Sequence, residues 1–184
     1  PDLVTLWPRE FQAYRELNVI SANPYTSAEI RRVRTGLLPM AEALYTVDDT
    51  PQALPLGLMT YLLYYNEDWI RDLGYEIAGA NRDTVRSAAC AVTNPLERQE
   101  GLGMPAKADM LLAWLTAGGA QIIDGTGAFA FADDPGKATI EWLNTTVEGG
   151  CIRIHQDWIS GQALLGQGAM AMVVESSRNY PAVV

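Results

Sequence analysis

The chain has 184 residues, long enough to bury a substantial core as one domain or as two small ones. Hydrophobic residues make up 48% and charged residues 19%, the proportions of an ordinary globular protein. Thirteen basic against 22 acidic residues give a net charge of -9, which argues against a nucleic-acid backbone or an anionic membrane surface as partner and favours a neutral or cationic ligand.

In chain order, Asp2 to Trp7 reads as a short strand, and Pro8 suits the first position of a helix carrying Phe11, Tyr14 and Leu17. Thr26 and Glu29 form a capping box for a basic helix with Arg31, Arg32 and Arg34, read as a solvated face. Gly36 and Pro39 break that helix, Pro39 restarts another through Met40 to Tyr45, and Asp48-Asp49-Thr50-Pro51 is a turn. The run Leu56 to Tyr65 has strand length and is too short to span a bilayer; Thr60, Tyr61, Tyr64 and Tyr65 favour an extended backbone. Asn66 is a good N-cap, with Glu67 and Asp68 beside the positive helix end, and Leu73-Gly74 supplies the C-cap.

Farther along, Asp109 to Ala117 is a helix apolar around most of its circumference, with Leu111, Leu112, Trp114 and Leu115, so a buried helix is expected. Gly118-Gly119 closes it, and Asp124-Gly125-Thr126-Gly127 reads as a tight turn before a short strand from Ala128 to Phe131. Asp134 is then a cap and Pro135 a first-turn residue for a helix with Ala138, Ile140, Trp142 and Leu143, ended by Gly149-Gly150. Strands alternating with helices, without a repeat of 20 to 50 residues, indicate an α/β fold.

Cys90 and Cys151 lack the spacing of a metal knuckle or a redox motif; their apolar context favours buried free thiols over a disulfide. No basic-then-apolar leader opens the chain, so an exported protein would have lost its signal before this numbering begins. His155, the single histidine, has no serine or cysteine at an elbow beside it and reads as structural or surface. Glu10, Asp109, Asp157 and Glu175 are the carboxylates that a glycosidase-like arrangement would have to bring together. The sequon Asn144-Thr145-Thr146 falls inside an expected helix and is read as chance.

Aromatic residues carry more weight, because a sugar offers an apolar face to a ring and hydroxyls to polar groups. Trp7 sits just past a strand end, where α/β sheets place ligands, and Thr60 and Tyr61 lie on the long apolar run. Tyr64 and Tyr65 are expected to pack, and Trp69, Trp114, Trp142 and Trp158 to be structural.

Tyr64-Tyr65-Asn66-Glu67-Asp68 resembles the "YYNKD" signature of the bacterial extracellular solute-binding proteins of family 1, the maltose-binding-protein type. The segments around it follow in the family's order: "PDLVTLW" is similar to its "PDVV" strand, Ala53-Leu54-Pro55-Leu56 to "YALP", and Asp83 to Pro95 to the "DELLEAAKKLTDP" helix, capped by Asp83. Glu100 to Pro105 resembles "YGFGLP", Gly118 to Gly125 resembles "GG(x)4DG", and Asp157 to Val174 resembles an acid, a short helix, a glycine and an "AM" strand.

The resemblance implies a periplasmic-binding-protein-like α/β fold, two-lobed and of type II, incomplete at both ends. Residues 1–58 would be part of the N-terminal lobe and 59–184 most of the C-terminal lobe, with a hinge strand near 57–63. It implies a receptor of an ABC importer that binds a carbohydrate or related polar solute between the lobes and performs no chemistry. The ligand contacts would be Trp7, Arg9, Thr60, Tyr61, Glu175, Ser176, Ser177 and Arg178, with no cofactor, metal or nucleic acid. Arg178 stands where sugar binders commonly have tryptophan, which leaves room for a polar or acidic ligand. The implied partners are a sugar or polyol and a membrane permease; the implied state is a monomer, periplasmic or extracellular, compatible with a lipoprotein anchor. The alternatives from other classes are a carbohydrate-processing enzyme and an interaction domain without a small ligand.

Overall fold

The computed structural model describes residues 4–20, 28, 32, 35–43, 45–47 and 50–179, and the chain divides into two compact units, Pro1–Leu58 and Met59–Val184. The expected box of Thr26 and Glu29, together with Arg31 and Arg34, lies outside the described residues.

In the first unit, helix α1 (Pro8–Glu16) starts at proline as expected, and Trp7 N–H donates to Glu10 Oε2 at 2.9 Å, satisfying a group just ahead of the helix. Phe11 is buried and meets the Tyr45 ring edge-on at 5.3 Å, whereas Tyr14 and Leu17 are exposed. Val4 to Trp7 are not a strand: among the described residues no neighbouring segment offers them a ladder of hydrogen bonds. A short helix α2 (Pro39–Ala43) precedes a small hairpin of β1 (Thr46–Val47) and β2 (Thr50–Pro51), antiparallel with Thr46 opposite Pro51. Of the expected turn at 48–51, Thr50 and Pro51 belong to the second strand, and Asp48 and Asp49 lie outside the described residues.

The second unit is built on a four-stranded sheet in the order β3-β6-β4-β5, with β3 (Tyr61–Tyr65), β4 (Glu100–Pro105), β5 (Ile152–His155) and β6 (Met170–Ser176). β4 runs parallel to β5 and β6, and β3 runs antiparallel to β6. Strand pairing begins only at Tyr61, so residues 57–60 are not part of the strand. Held between β3 and β4, β6 is buried from Met170 to Glu175, which explains its continuous apolar run.

Helices α3 (Glu67–Asp72), α4 (Arg82–Val92), α5 (Ala108–Ala117), α6 (Asp134–Glu148) and α7 (Trp158–Gly166) complete the unit. Asn66 caps α3 by accepting from Trp69 N at 3.0 Å, and Gly74 adopts φ 81, a left-handed conformation that glycine reaches without a Cβ penalty. Two expected caps move upstream. Asn81, not Asp83, caps α4 by accepting from Asp83 N and Thr84 N, each at 3.0 Å. Asp133, not Asp134, caps α6 by accepting from Gly136 N at 2.8 Å. Acids inside the first turn favour the helix dipole, but only a residue ahead of that turn can turn its side chain back onto the free amides.

The core joins Leu102, Met104, Ile152, Met172 and Val174 of the sheet to Val85, Ala88, Ala89 and Val92 of α4, and to Met110 and Trp142. Gly101 permits close approach here: a Cβ on it would lie 2.1 Å from the Ala89 carbonyl oxygen. Trp114 stacks on Trp142 with centroids 5.1 Å apart, as expected of structural tryptophans, and Trp69 packs on the same core. Helix α5 is less enclosed than its composition implied, because Met110 and Leu115 are buried while Leu111 and Leu112 are exposed. The expected strand from Ala128 to Phe131 reduces to one bridge, Ile123 to Phe129, because the Asp124 carboxylate gathers Thr126 N, Thr126 Oγ1 and Ala128 N into a tight turn.

Cys90 and Cys151 form a disulfide, correcting the expectation of free thiols. The last turn of α4 and the residue after Gly149-Gly150 converge to a Cα separation of 4.5 Å, which apolar context could not reveal.

Candidate functional site

The parallel strands β4, β5 and β6 end at one end of their sheet, and antiparallel β3 begins there, with Tyr61 opposite Ser176 and Leu62 opposite Glu175. Open α/β sheets form ligand sites at this carboxyl end, where loops and helix starts expose polar groups. Six residues expected at a site meet here: Thr60, Tyr61, Glu175, Ser176, Ser177 and Arg178.

Thr60 and Ser177 clamp each other, Ser177 N–H donating to the Thr60 carbonyl at 2.7 Å and Thr60 N–H to Ser177 Oγ at 3.2 Å. Ser176 Oγ accepts from Arg178 N at 3.2 Å, which starts the 3-10 turn Ser177–Asn179. Arg178 is exposed, and Tyr180 lies outside the described residues.

Tyr61 hydroxyl donates to Asp109 Oδ2 at 2.5 Å. Burial first, then this hydrogen bond and the charges of Asp109 and Glu175, push its phenol well above the ordinary tyrosine range, so it stays a protonated donor. Asp109 is the site residue that sequence reasoning passed over except as one of four carboxylates. Its signal was an acid in the first turn of the helix after β4, at the carboxyl end of the sheet.

Glu175 is 1% exposed, so this expected contact is a buried group: Oε1 accepts from Ser176 N at 2.6 Å and Asn179 Nδ2 at 3.0 Å, and Oε2 from Gln162 Nε2 at 2.7 Å. The other carboxylates are engaged locally. Asp157 caps α7 through Ser160 N at 2.8 Å, and that bond above all holds its carboxyl below the usual range, while Glu10 bonds Trp7 N–H in the first unit. Within the second unit Asp109, Asp157 and Glu175 are thus held by separate partners, the Tyr61 hydroxyl, Ser160 N and the Gln162 amide.

Trp7 belongs to the first unit, at the start of α1 and half exposed, and the Arg9 side chain lies outside the described residues, as does that of Trp158. His155 is 8% exposed; its Nε2 stands 3.9 Å from Glu100 Oε2, and neither atom has a hydrogen-bond partner among the described residues.

No family model and no curated protein matches the sequence. Solved structures do. The GacH receptor of Streptomyces glaucescens, solved unliganded and with acarbose, matches with a TM-score of 0.76 and 19% identity over 92% of this chain and 44% of that one. Maltose-bound MalE3 of T. maritima matches with a TM-score of 0.70 and 17% identity over 92% and 44%. An ABC transporter solute-binding protein of Agrobacterium vitis with bound D-mannitol matches with a TM-score of 0.69 and 18% identity over 92% and 43%. This chain thus spans less than half the length of each, and it has the α/β fold of the two-lobed solute-binding proteins to which they belong.

Proposed function

We propose that this chain is part of an ABC-importer receptor that binds a carbohydrate or polyol without transforming it. The observation that carries the reading is the gathering of Thr60, Tyr61, Asp109 and the Ser176–Arg178 turn at the carboxyl end of the sheet, within a fold shared by receptors for acarbose, maltose and D-mannitol. Hydroxyl-rich ligands suit such a set, since hydroxyls both donate and accept while rings stack on their apolar faces. The Cys90–Cys151 bridge supports export, because disulfides persist in oxidising compartments outside the cytosol. On this reading residues 1–58 contribute to the N-terminal lobe and 59–184 form most of the C-terminal lobe. The ligand-loaded receptor docks to a permease as a periplasmic or extracellular monomer.

Calorimetric titration of the full-length protein with maltose, acarbose and D-mannitol tests this. At least one should bind, and Trp7→Ala and Tyr61→Ala should each weaken it by roughly 1 to 3 kcal/mol if their rings contact the ligand. Unchanged affinity in both variants would remove them from the site.

A further inference from the structure

Glu175 is the one buried carboxylate among the described residues. Burying an ionised carboxyl is costly unless its oxygens are satisfied, and here they are satisfied by amide donors. Those donors come from different parts of the chain. Oε1 takes Ser176 N–H and the Asn179 side-chain amide, which stand at the two ends of the turn after β6. Oε2 takes the side-chain amide of Gln162, in the middle of α7. On its other side the same turn is tied to Thr60, the residue just ahead of β3, through both Ser177–Thr60 hydrogen bonds.

We propose that Glu175 is a positioning residue of the ligand site and not a ligand contact: its carboxylate folds the Ser176–Asn179 turn and anchors it to α7 through Gln162. This rests on the receptor reading above. With 1% exposure and both oxygens already accepting amide donors, the carboxylate gives a ligand hydroxyl almost no access, whereas Ser176, Ser177 and Arg178 on the turn are less enclosed. What the position requires is acceptor oxygens at the right reach. Glutamine keeps one oxygen for Ser176 and Asn179, and its amide can donate to a flipped Gln162 side chain, so the negative charge is dispensable while the shape is not.

Full-length wild type, Glu175→Gln, Glu175→Ala and Gln162→Leu are compared by hydrogen exchange at the amides of residues 176–179 and by titration with maltose, acarbose and D-mannitol. Glu175→Ala and Gln162→Leu should speed exchange in the turn, and weaken the best-bound probe, by roughly 10-fold or more, as expected for losing a hydrogen bond to a charged group. Glu175→Gln should stay near wild type in both. Binding weakened by Glu175→Gln as much as by Glu175→Ala would overturn the proposal, since the charge itself would then touch the ligand. So would unchanged exchange in Glu175→Ala. If that variant does not fold, Gln162→Leu, which removes only the anchor to α7, decides. A wild type that binds no probe would defeat the receptor reading, and the exchange data would still decide whether Glu175 holds the turn.

Discussion

His155 sits at the end of β5, with Glu100 of β4, Arg153 of its own strand and Asp157 at the start of α7 as the charged groups around it. A glycine keeps the room beside it: a Cβ on Gly103 would lie 3.1 Å from its Nε2. Burial pulls its pKa below the ordinary histidine value, Arg153 adds to that, and Glu100 and Asp157 oppose it. The folded imidazole therefore takes a proton at lower pH than the unfolded one, which titrates near about 6.5. As pH falls through that value the unfolded state binds the proton first, so stability should decline until the folded pKa is passed. Urea midpoints measured between pH 7.5 and 5.5, where most carboxylates stay ionised, should fall with acidification in wild type and fall less in His155→Leu. Equal slopes would assign the acid sensitivity elsewhere.

At the scale of elements, the bridge between Cys90 and Cys151 closes a loop of 61 residues that contains β4, α5 and α6. Loop-closure entropy for that span predicts a stabilisation of about 4 kcal/mol through the unfolded chain. Cys90→Ala/Cys151→Ala should lower the unfolding free energy by about 2 to 4 kcal/mol in denaturant titration. A change below about 1 kcal/mol would mean that the reduced chain already keeps these elements together when unfolded. Helix α5 gives the contrasting lesson. Its apolar circumference suggested complete burial, yet composition cannot say on how many sides a helix meets neighbours, and here Leu111 and Leu112 face away.

At the scale of the molecule, every residue of the main core cluster, from Ile70 to Val174, belongs to the second unit, as do the four-stranded sheet and the disulfide. Residues 59–184 produced alone should therefore unfold cooperatively and keep a near-ultraviolet circular dichroism signal from the packed Trp114–Trp142 pair. A non-cooperative melt would show that the unit depends on residues 1–58 for its packing.

The sequence by itself determined what is settled within a few residues. Asn66 caps a helix because its side chain reaches an amide three residues on, and Gly74, Gly119 and Gly150 end helices because glycine adopts a positive φ cheaply. β6 was marked by its resemblance to the family's "AM" strand, and the structure gives the physical reason for its apolar run, enclosure on both faces. Only the tertiary structure decided that Cys90 meets Cys151, that Asp109 receives the Tyr61 hydroxyl, and that Glu175 lies buried with Gln162 on one side and Asn179 on the other. Those partners stand between 4 and 61 positions apart, and across the longer spans it is strand order and helix packing, not local preference, that brings them together.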